Sequence, residues 1–454
     1  MACRERALSF VEPAFVPFLV LALLAMRVAP GVQGRNLALL CASLLFYGWR
    51  EPWFVLLLTL SIAIDWAAAL AIEAWRGRTR LWVGISVAAN LGMLSVFKYG
   101  DFIAENIIAI GIQVPASTGL PLPIGLSFFT FQSMAYTLDV ARGTTHARRS
   151  PLTVATYVAL FPQLVAGPIE RAGTLMPQLE RRTPATRADL ARGMDLLLWG
   201  AVQKVVVADS LALYVDLVFA QPSPGPALTA SAVIAFMVQI LADFAGYTSM
   251  ARGAARMMGI RLSRNFDRPY SATSPSMFWK RWHSTFSSWM HSYVYTPLAG
   301  PRRGSLRQVA ATTVSLMLAG LWHGAAWHFV AWGAWFAAVM LVWRGTGDLL
   351  RTRPLLGWAF TMGAVAVGML IFRAPSLSWL ADVIGGWTTE RDPHDAVLAT
   401  GVVGLAAVGG AVLLVGGHLQ RRPTSLRAPL WGLAAVLVLI FARDTARDFV
   451  YFRF

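Results

Sequence analysis

Apolar runs long enough to cross a bilayer recur along almost the whole chain, and they leave little choice of architecture. A spanning helix needs roughly 17–25 mostly apolar residues. Runs of that kind, some of them short, fall at about 9–28, 36–49, 52–74, 81–98, 122–140, 152–165, 193–219, 227–248, 308–323, 326–344, 355–373, 395–417 and 426–442. Only 14% of the 454 residues are charged, against about 25% in a soluble protein. The expected fold class is therefore an all-α integral membrane protein. The polar stretches between runs are short, so one transmembrane domain is expected over residues 1–454. The segments 101–113 and 376–388 are too short to span and read as interfacial or re-entrant.

The formal net charge is +16. In a soluble protein that would suggest nucleic-acid binding. Here the basic residues gather in loops between apolar runs, the positive-inside pattern, so the expected partner is membrane lipid and no nucleic acid. A basic cytoplasmic mouth would also attract an anionic donor such as an acyl-coenzyme A. The loop Arg76-Gly77-Arg78-Thr79-Arg80 reads as cytoplasmic, and counting back through the runs puts the N-terminus outside. The first run lacks a clean signal-peptide cleavage site and reads as a retained spanning helix. With only Cys3 and Cys41, no disulfide framework or cysteine metal site is expected. No internal repeat supports an inverted-repeat transporter.

Interruptions carry the next signal. Pro121, Pro123 and Gly125, then Phe161-Pro162-Gln163, then Gly167-Pro168 break apolar runs in the middle of the chain. Broken helices at membrane depth are tolerated only where protein or a cavity surrounds them. The middle of the chain reads either as a lined pocket or as proline-kinked helices with no pocket.

His323 lies between two such runs, in Gly320-Leu321-Trp322-His323-Gly324-Ala325-Ala326-Trp327-His328-Phe329. An ionisable group at membrane depth is a functional candidate by default. The glycine after it can end a helix and present the ring to a hydrated cavity. The alternative is a histidine snorkelling at the interface beside Trp322 and Trp327. His323 and His328 are five positions apart, which does not suit two ligands on one helical face. His146, His394 and His418 read as surface residues, while His291 lies close to the polar centre of the chain.

That centre spans about 249–307. Placed on one helix at about 100° per residue, Phe278, Trp279, Trp282, Phe286, Trp289 and Met290 share an arc of about 120°. Lys280, Arg281, Ser284, Ser287 and Ser288 take the rest, giving an amphipathic interfacial helix with His283 at the edge of its aromatic face. Upstream, Asp243 in Asp243-Phe244-Ala245-Gly246-Tyr247 needs a charge partner, for which the nearby arginines are candidates. Lys204 reads as a snorkelling lysine. A Gly-x-Ser-x-Gly nucleophile elbow and a His-Glu-x-x-His zinc pair are both missing, and no metal site is expected.

A longer set of motifs resembles one family. The chain carries Ile124-Gly125-Leu126-Ser127-Phe128-Phe129-Thr130-Phe131-Gln132, then Tyr136, Asp139 and Arg142-Gly143. It carries Phe161-Pro162-Gln163-Leu164-Val165-Ala166-Gly167-Pro168-Ile169, Gln203-Lys204-Val205-Val206-Val207-Ala208-Asp209 and Asp243-Phe244-Ala245-Gly246-Tyr247. It carries Asn265-Phe266-Asp267-Arg268-Pro269-Tyr270, Phe278-Trp279-Lys280-Arg281-Trp282-His283, Gly320-Leu321-Trp322-His323-Gly324-Ala325-Ala326-Trp327 and Phe449-Val450-Tyr451-Phe452-Arg453-Phe454. In that order they resemble the membrane-bound O-acyltransferases, in particular the bacterial branch that contains the alginate O-acetyltransferase membrane subunit.

The resemblance implies a ring of tilted transmembrane helices, with short broken helices, around a central funnel. It implies His323 and His283 as catalytic residues, with Asp243, Tyr247, Asn265, Trp279, Arg281, Trp282, Trp322 and Gln132 as substrate-binding candidates. It implies acetyl transfer from cytoplasmic acetyl-CoA, with no tightly bound cofactor, to an extracytoplasmic polysaccharide acceptor. A separate extracytoplasmic acetyltransferase partner and a bacterial inner-membrane location follow from the same likeness. The chain has Met290-His291-Ser292 where many relatives have an Arg-Asp pair, and Ser249 where many have Asp. Those differences bear on the acceptor or the partner contact rather than on the chemistry. The alternatives are D-alanyl transfer to teichoic acid from a carrier protein, or a non-catalytic scaffold for polysaccharide synthesis or export.

Overall fold

The computed structural model describes residues 8–442 apart from 50, 118, 182–183, 302–305, 387–392 and 420–426. The closing motif from Phe449 to Phe454 and the first seven residues lie outside that set. Among the described residues every regular element is helical. In chain order these are α1 (Phe15–Val28), α2 (Gly31–Tyr47), α3 (Phe54–Ala74), α4 (Thr79–Phe97), α5 (Gly100–Ala109), α6 (Leu126–Ala141), α7 (Pro151–Ala159), α8 (Phe161–Leu164) and α9 (Ala172–Glu180). Then follow α10 (Arg187–Ala201), a π-helical stretch Val202–Ala208, α11 (Asp209–Phe219), α12 (Pro226–Met257), α13 (Pro275–Arg281), α14 (Ser284–Met290) and α15 (Thr296–Ala299). The remainder are α16 (Leu306–His323), α17 (Trp327–Arg351), α18 (Pro354–Arg373), α19 (Leu377–Gly386), α20 (Pro393–Leu419) and α21 (Arg427–Phe441).

Among the described residues seven helices are long and apolar enough to cross a bilayer: Phe54–Ala74, Arg76–Phe97, Arg187–Phe219, Pro226–Met257, Trp327–Thr346, Pro354–Arg373 and His394–Gly416. Their outward leucines are bare, with Leu56 68% and Leu414 65% exposed. Apolar surface of that kind is stable only against lipid. The chain is a multi-pass membrane protein of all-α class.

Contacts divide the chain into two units, one of Met1–Leu197 with Thr248–Ser263 and one of Leu198–Tyr247 with Arg264–Phe454. In the first unit, α3 buries Asp65 completely. An isolated carboxylate in an apolar interior would be prohibitively costly. Here Oδ2 accepts from Asn90 Nδ2 at 2.7 Å and Ser133 Oγ at 2.5 Å. Oδ1 accepts from Thr137 Oγ1 at 2.8 Å and from Ser86 Oγ. The donors come from α4 and α6, so one acid joins three helices.

The interrupted middle of the chain is also in this unit. Gly125 starts α6 at φ +77°, and a Cβ there would meet the Leu164 carbonyl oxygen at 2.7 Å. α7 stops at Ala159 because Leu160 leaves the helical region, at φ −51° and ψ +108°, before Phe161-Pro162. The backbone groups freed by the break are taken up by side chains. Gln132 Nε2 and Gln163 Nε2 each donate to the Tyr157 carbonyl at 2.7 Å, and Phe161 N–H donates to Ser43 Oγ at 3.1 Å. Residues 160–170 are all buried, so the break is enclosed by protein, as an unwound segment at membrane depth requires.

In the second unit the core runs from Val207 to Ala406 and includes Phe236, Phe278, Trp282, Phe329, Trp332, Phe336 and Phe372. Within it α16 packs directly against α17. Added Cβ atoms would meet the Phe329 carbonyl oxygen at 2.0 Å from Gly320 and the Leu316 carbonyl oxygen at 2.3 Å from Gly333. Two glycines on facing helices let the backbones touch, the usual device for helix pairs in lipid.

Candidate active site

Position 283 departs from the helical-wheel expectation. Residues 278–290 do not form one amphipathic helix: α13 ends at Arg281, Trp282 is extended, and His283 sits at φ +43°, ψ +51° before α14 begins. His283 is thus not at the edge of an aromatic face. It is at a left-handed break, and only 1% exposed. A non-glycine residue in this region costs of order 1–3 kcal/mol.

His323 reaches the same place from another element. It is the last residue of α16 and is 5% exposed. The helix ends as expected at Gly324, but for a different reason. A Cβ on Gly324 would lie 1.9 Å from the Phe329 ring, so close packing excludes any side chain there. The two imidazoles flank one phenylalanine. Phe286 lies 5.1 Å from the His283 ring and 5.5 Å from the His323 ring, centroid to centroid. Trp322 stacks on Phe286 at 4.3 Å and lies 6.2 Å from His283 and 5.0 Å from His323. Trp332 and Phe372 complete the surround of His323 at 5.2 and 5.3 Å, both near perpendicular. These contacts place His323 in a packed aromatic interior rather than snorkelling at an interface.

The segment Asp243–Tyr247 of α12 faces three ways. Phe244 meets the His283 ring edge-on at 4.7 Å. Gly246 allows a close approach, since a Cβ would lie 2.8 Å from the Gly200 carbonyl oxygen. Asp243, 1% exposed, pairs with Lys204 Nζ at 2.9 Å. Its partner is therefore a lysine and not one of the arginines expected from sequence. Lys204 does not snorkel either. It is 5% exposed and bonds Asp209 Oδ1 at 2.9 Å as well. The π stretch explains the pairing: the Asp209 N–H donates to the Lys204 carbonyl, an i to i+5 bond that brings residues five apart onto one face.

The other candidates separate. Trp279 packs edge-on against Trp332 at 5.7 Å and Phe336 at 4.9 Å, which ties it to the surround of His323. Trp282 stacks on Phe278 at 5.5 Å and meets Phe266 at 5.1 Å. Asn265 is 1% exposed and its Oδ1 accepts from Thr285 Oγ1 at 2.6 Å. Tyr247 is buried in the same unit. The Arg281 guanidinium is held away by Ser271 Oγ at 2.8 Å. Gln132 belongs to the first unit and is occupied by the Tyr157 carbonyl. His291 is exposed and stacks on Tyr295 at 5.2 Å. His146 is exposed beside Glu73, as expected, whereas His394 falls within α20 rather than in a loop. Phe244, Phe286, Trp332 and Phe372 were not singled out from sequence for the site. Only the juxtaposition of α12, α14, α17 and α18 gives them a role.

Two imidazoles held in an apolar, aromatic setting can exchange a proton with a bound hydroxyl, and the residues around them carry no metal-binding cluster among the described residues. Residues 125–374, which include both histidines, match the model of the membrane-bound O-acyltransferase family. A probable alginate O-acetylase of Pseudomonas putida is 36% identical over 373 residues, covering 80% of this chain and 76% of that protein. The corresponding protein of Pseudomonas aeruginosa is 37% identical over 356 residues, covering 76% of this chain and 68% of that one. A peptidoglycan O-acetyltransferase of Helicobacter pylori is 31% identical over 385 residues, covering 77% and 73%. With the family match spanning more than half its length and these relatives covering most of it, the chain belongs to the membrane-bound O-acyltransferase family and is an O-acyltransferase.

Proposed function

We propose that this enzyme moves an acetyl group from cytoplasmic acetyl-CoA to a hydroxyl of an extracytoplasmic polysaccharide, with His323 as general base. The observation that carries the reading is the convergence of His283 and His323, from separate elements, on the same Phe286 and Trp322 rings. Two of the similar proteins are named for acetylating glycans, alginate in one case and peptidoglycan in the other. That shared chemistry favours acetyl and a glycan over D-alanine and teichoic acid.

In the reaction, the acceptor oxygen attacks the thioester carbonyl carbon while His323 takes its proton. A new C–O bond forms, the C–S bond breaks, and the thiolate leaving group recovers the proton from His323. Neutral imidazole suits both steps near neutral pH. His283 orients the acceptor hydroxyl or the donor carbonyl. The apolar surround excludes water, which would otherwise compete as acceptor. We place the protein in the bacterial inner membrane with its N-terminus outside.

The test is His323→Ala in membranes supplied with labelled acetyl-CoA and glycan. A positioned base contributes about 100- to 10,000-fold, so transfer should fall by at least about 100-fold while insertion and yield stay normal. A His323→Ala protein that transfers at the wild-type rate would refute the base assignment.

A further inference from the structure

We infer that Asn265 is a positioning residue that acts through His283, holding its backbone in the left-handed turn, rather than a contact to substrate. The inference rests on the reading in which His283 takes part in transfer.

Residues 278–290 have the apolar period of one continuous helix, and right-handed backbone at position 283 would let α13 run into α14. In that continuous helix the N–H groups of Ser284 and Thr285 would donate to the carbonyls of residues 280 and 281. The structure diverts each of them. Ser284 N–H donates to the Asn265 carbonyl at 3.0 Å, and Thr285 N–H lies 3.4 Å from Asn265 Oδ1. The Arg281 carbonyl, which would have accepted, takes the Asp267 N–H at 3.0 Å instead. Two further bonds lock the exchange: Thr285 Oγ1 donates to Asn265 Oδ1 at 2.6 Å and Ser284 Oγ donates to the Arg264 carbonyl at 2.6 Å. His283 offers no side-chain cap to α14, so Asn265 does the capping from 20 residues away.

The Ser284 and Thr285 N–H groups and the Arg281 carbonyl, which the continuous helix would pair along its own axis, are instead paired with the 264–267 segment. That exchange offsets the left-handed strain, which persists only where surrounding structure over-determines it. The turn is what directs the imidazole between Phe244 and Phe286. Without the cap, the helix can close and swing the ring off that position.

The test uses the full-length enzyme in membranes. Asn265→Ala and Thr285→Val should each lower kcat by at least tenfold with KM within about twofold of wild type. Thr285→Ser, which keeps the hydroxyl, should restore wild-type kcat. His283→Gly, which relieves the strained conformation, should melt at a higher temperature than His283→Ala, with both inactive. Any of these results would overturn the inference: a raised KM with normal kcat in Asn265→Ala, which marks a substrate contact; normal kcat in Thr285→Val; or His283→Gly melting below His283→Ala. If Asn265→Ala fails to accumulate, the Thr285 pair decides. Activity in His283→Ala would remove the role of His283 and this inference with it. Activity in His323→Ala would strike only the base assignment and leave the kcat effects of Asn265 and Thr285 to be read as before.

Discussion

Lys204 holds two carboxylates apart. Its ammonium lies 2.9 Å from both Asp209 and Asp243, with almost no exposure to solvent. Removing one partner of such a buried cluster is more costly than the cluster is stabilising, because it leaves uncompensated charge in an apolar setting. Lys204→Met should therefore destabilise the protein by about 3–5 kcal/mol, read as an early thermal melt in detergent. The double variant Lys204→Met with Asp243→Leu should recover part of that loss; no recovery would mean that the ion pair is not the source. Sequence reading marked Asp243 as a residue in need of a partner but looked to the arginines downstream. The lysine was missed because its pairing with Asp243 joins two separate helices, and hydropathy carries no trace of which faces meet. His323 was conspicuous as an ionisable group between apolar runs, whereas His283 was singled out by the family resemblance rather than by its local sequence. That the two share Phe286 and Trp322 as neighbours was not legible, since nothing in spacing links position 283 to position 323.

Among elements, the α16–α17 pair governs where His323 can sit. Gly320 and Gly333 allow backbone contact within a few ångströms, and Gly324 leaves room for the Phe329 ring. A methyl at Gly333 would meet the Leu316 carbonyl oxygen and the Met317 Cα, so the helices must part. Gly333→Ala should lower both melting temperature and transfer. Gly345→Ala, on the same helix with open space around it, should instead stabilise by about 0.5–1 kcal/mol through helix propensity. Equal effects at the two positions would show that the close approach is unimportant. Most long helices could be read in advance: the expected 308–323 is observed as Leu306–His323, and 355–373 as Pro354–Arg373. The expected helix at 227–248 in fact runs to Met257, because the arginines near its end are compatible with a helix that leaves the apolar layer. The break at His283 could not be read, because strain imposed by a distant segment leaves the local apolar period intact.

For the molecule as a whole, an O-acyltransferase with a glycan acceptor should leave a covalent mark on the cell surface. Mass analysis of the surface polymer from cells with and without this protein should show ester-linked acetyl only in the former, and mild alkali should remove it. An unchanged polymer would count against the acceptor class while leaving the family untouched. Membrane class was legible from composition alone, since a 56% apolar chain cannot hide that much surface in water. What composition could not supply was how polar groups survive inside.

Asp65 illustrates that survival and also what it implies for biogenesis. A carboxylate at the centre of a spanning helix opposes insertion by about 2.5–3.5 kcal/mol, so α3 enters the bilayer under penalty. Relief arrives in two instalments as the ribosome advances. Ser86 and Asn90 emerge first on α4, while Ser133 and Thr137 follow only with α6. The acid is therefore only half satisfied by the α3–α4 pair, and the two α6 hydroxyls supply the rest of its hydrogen bonds.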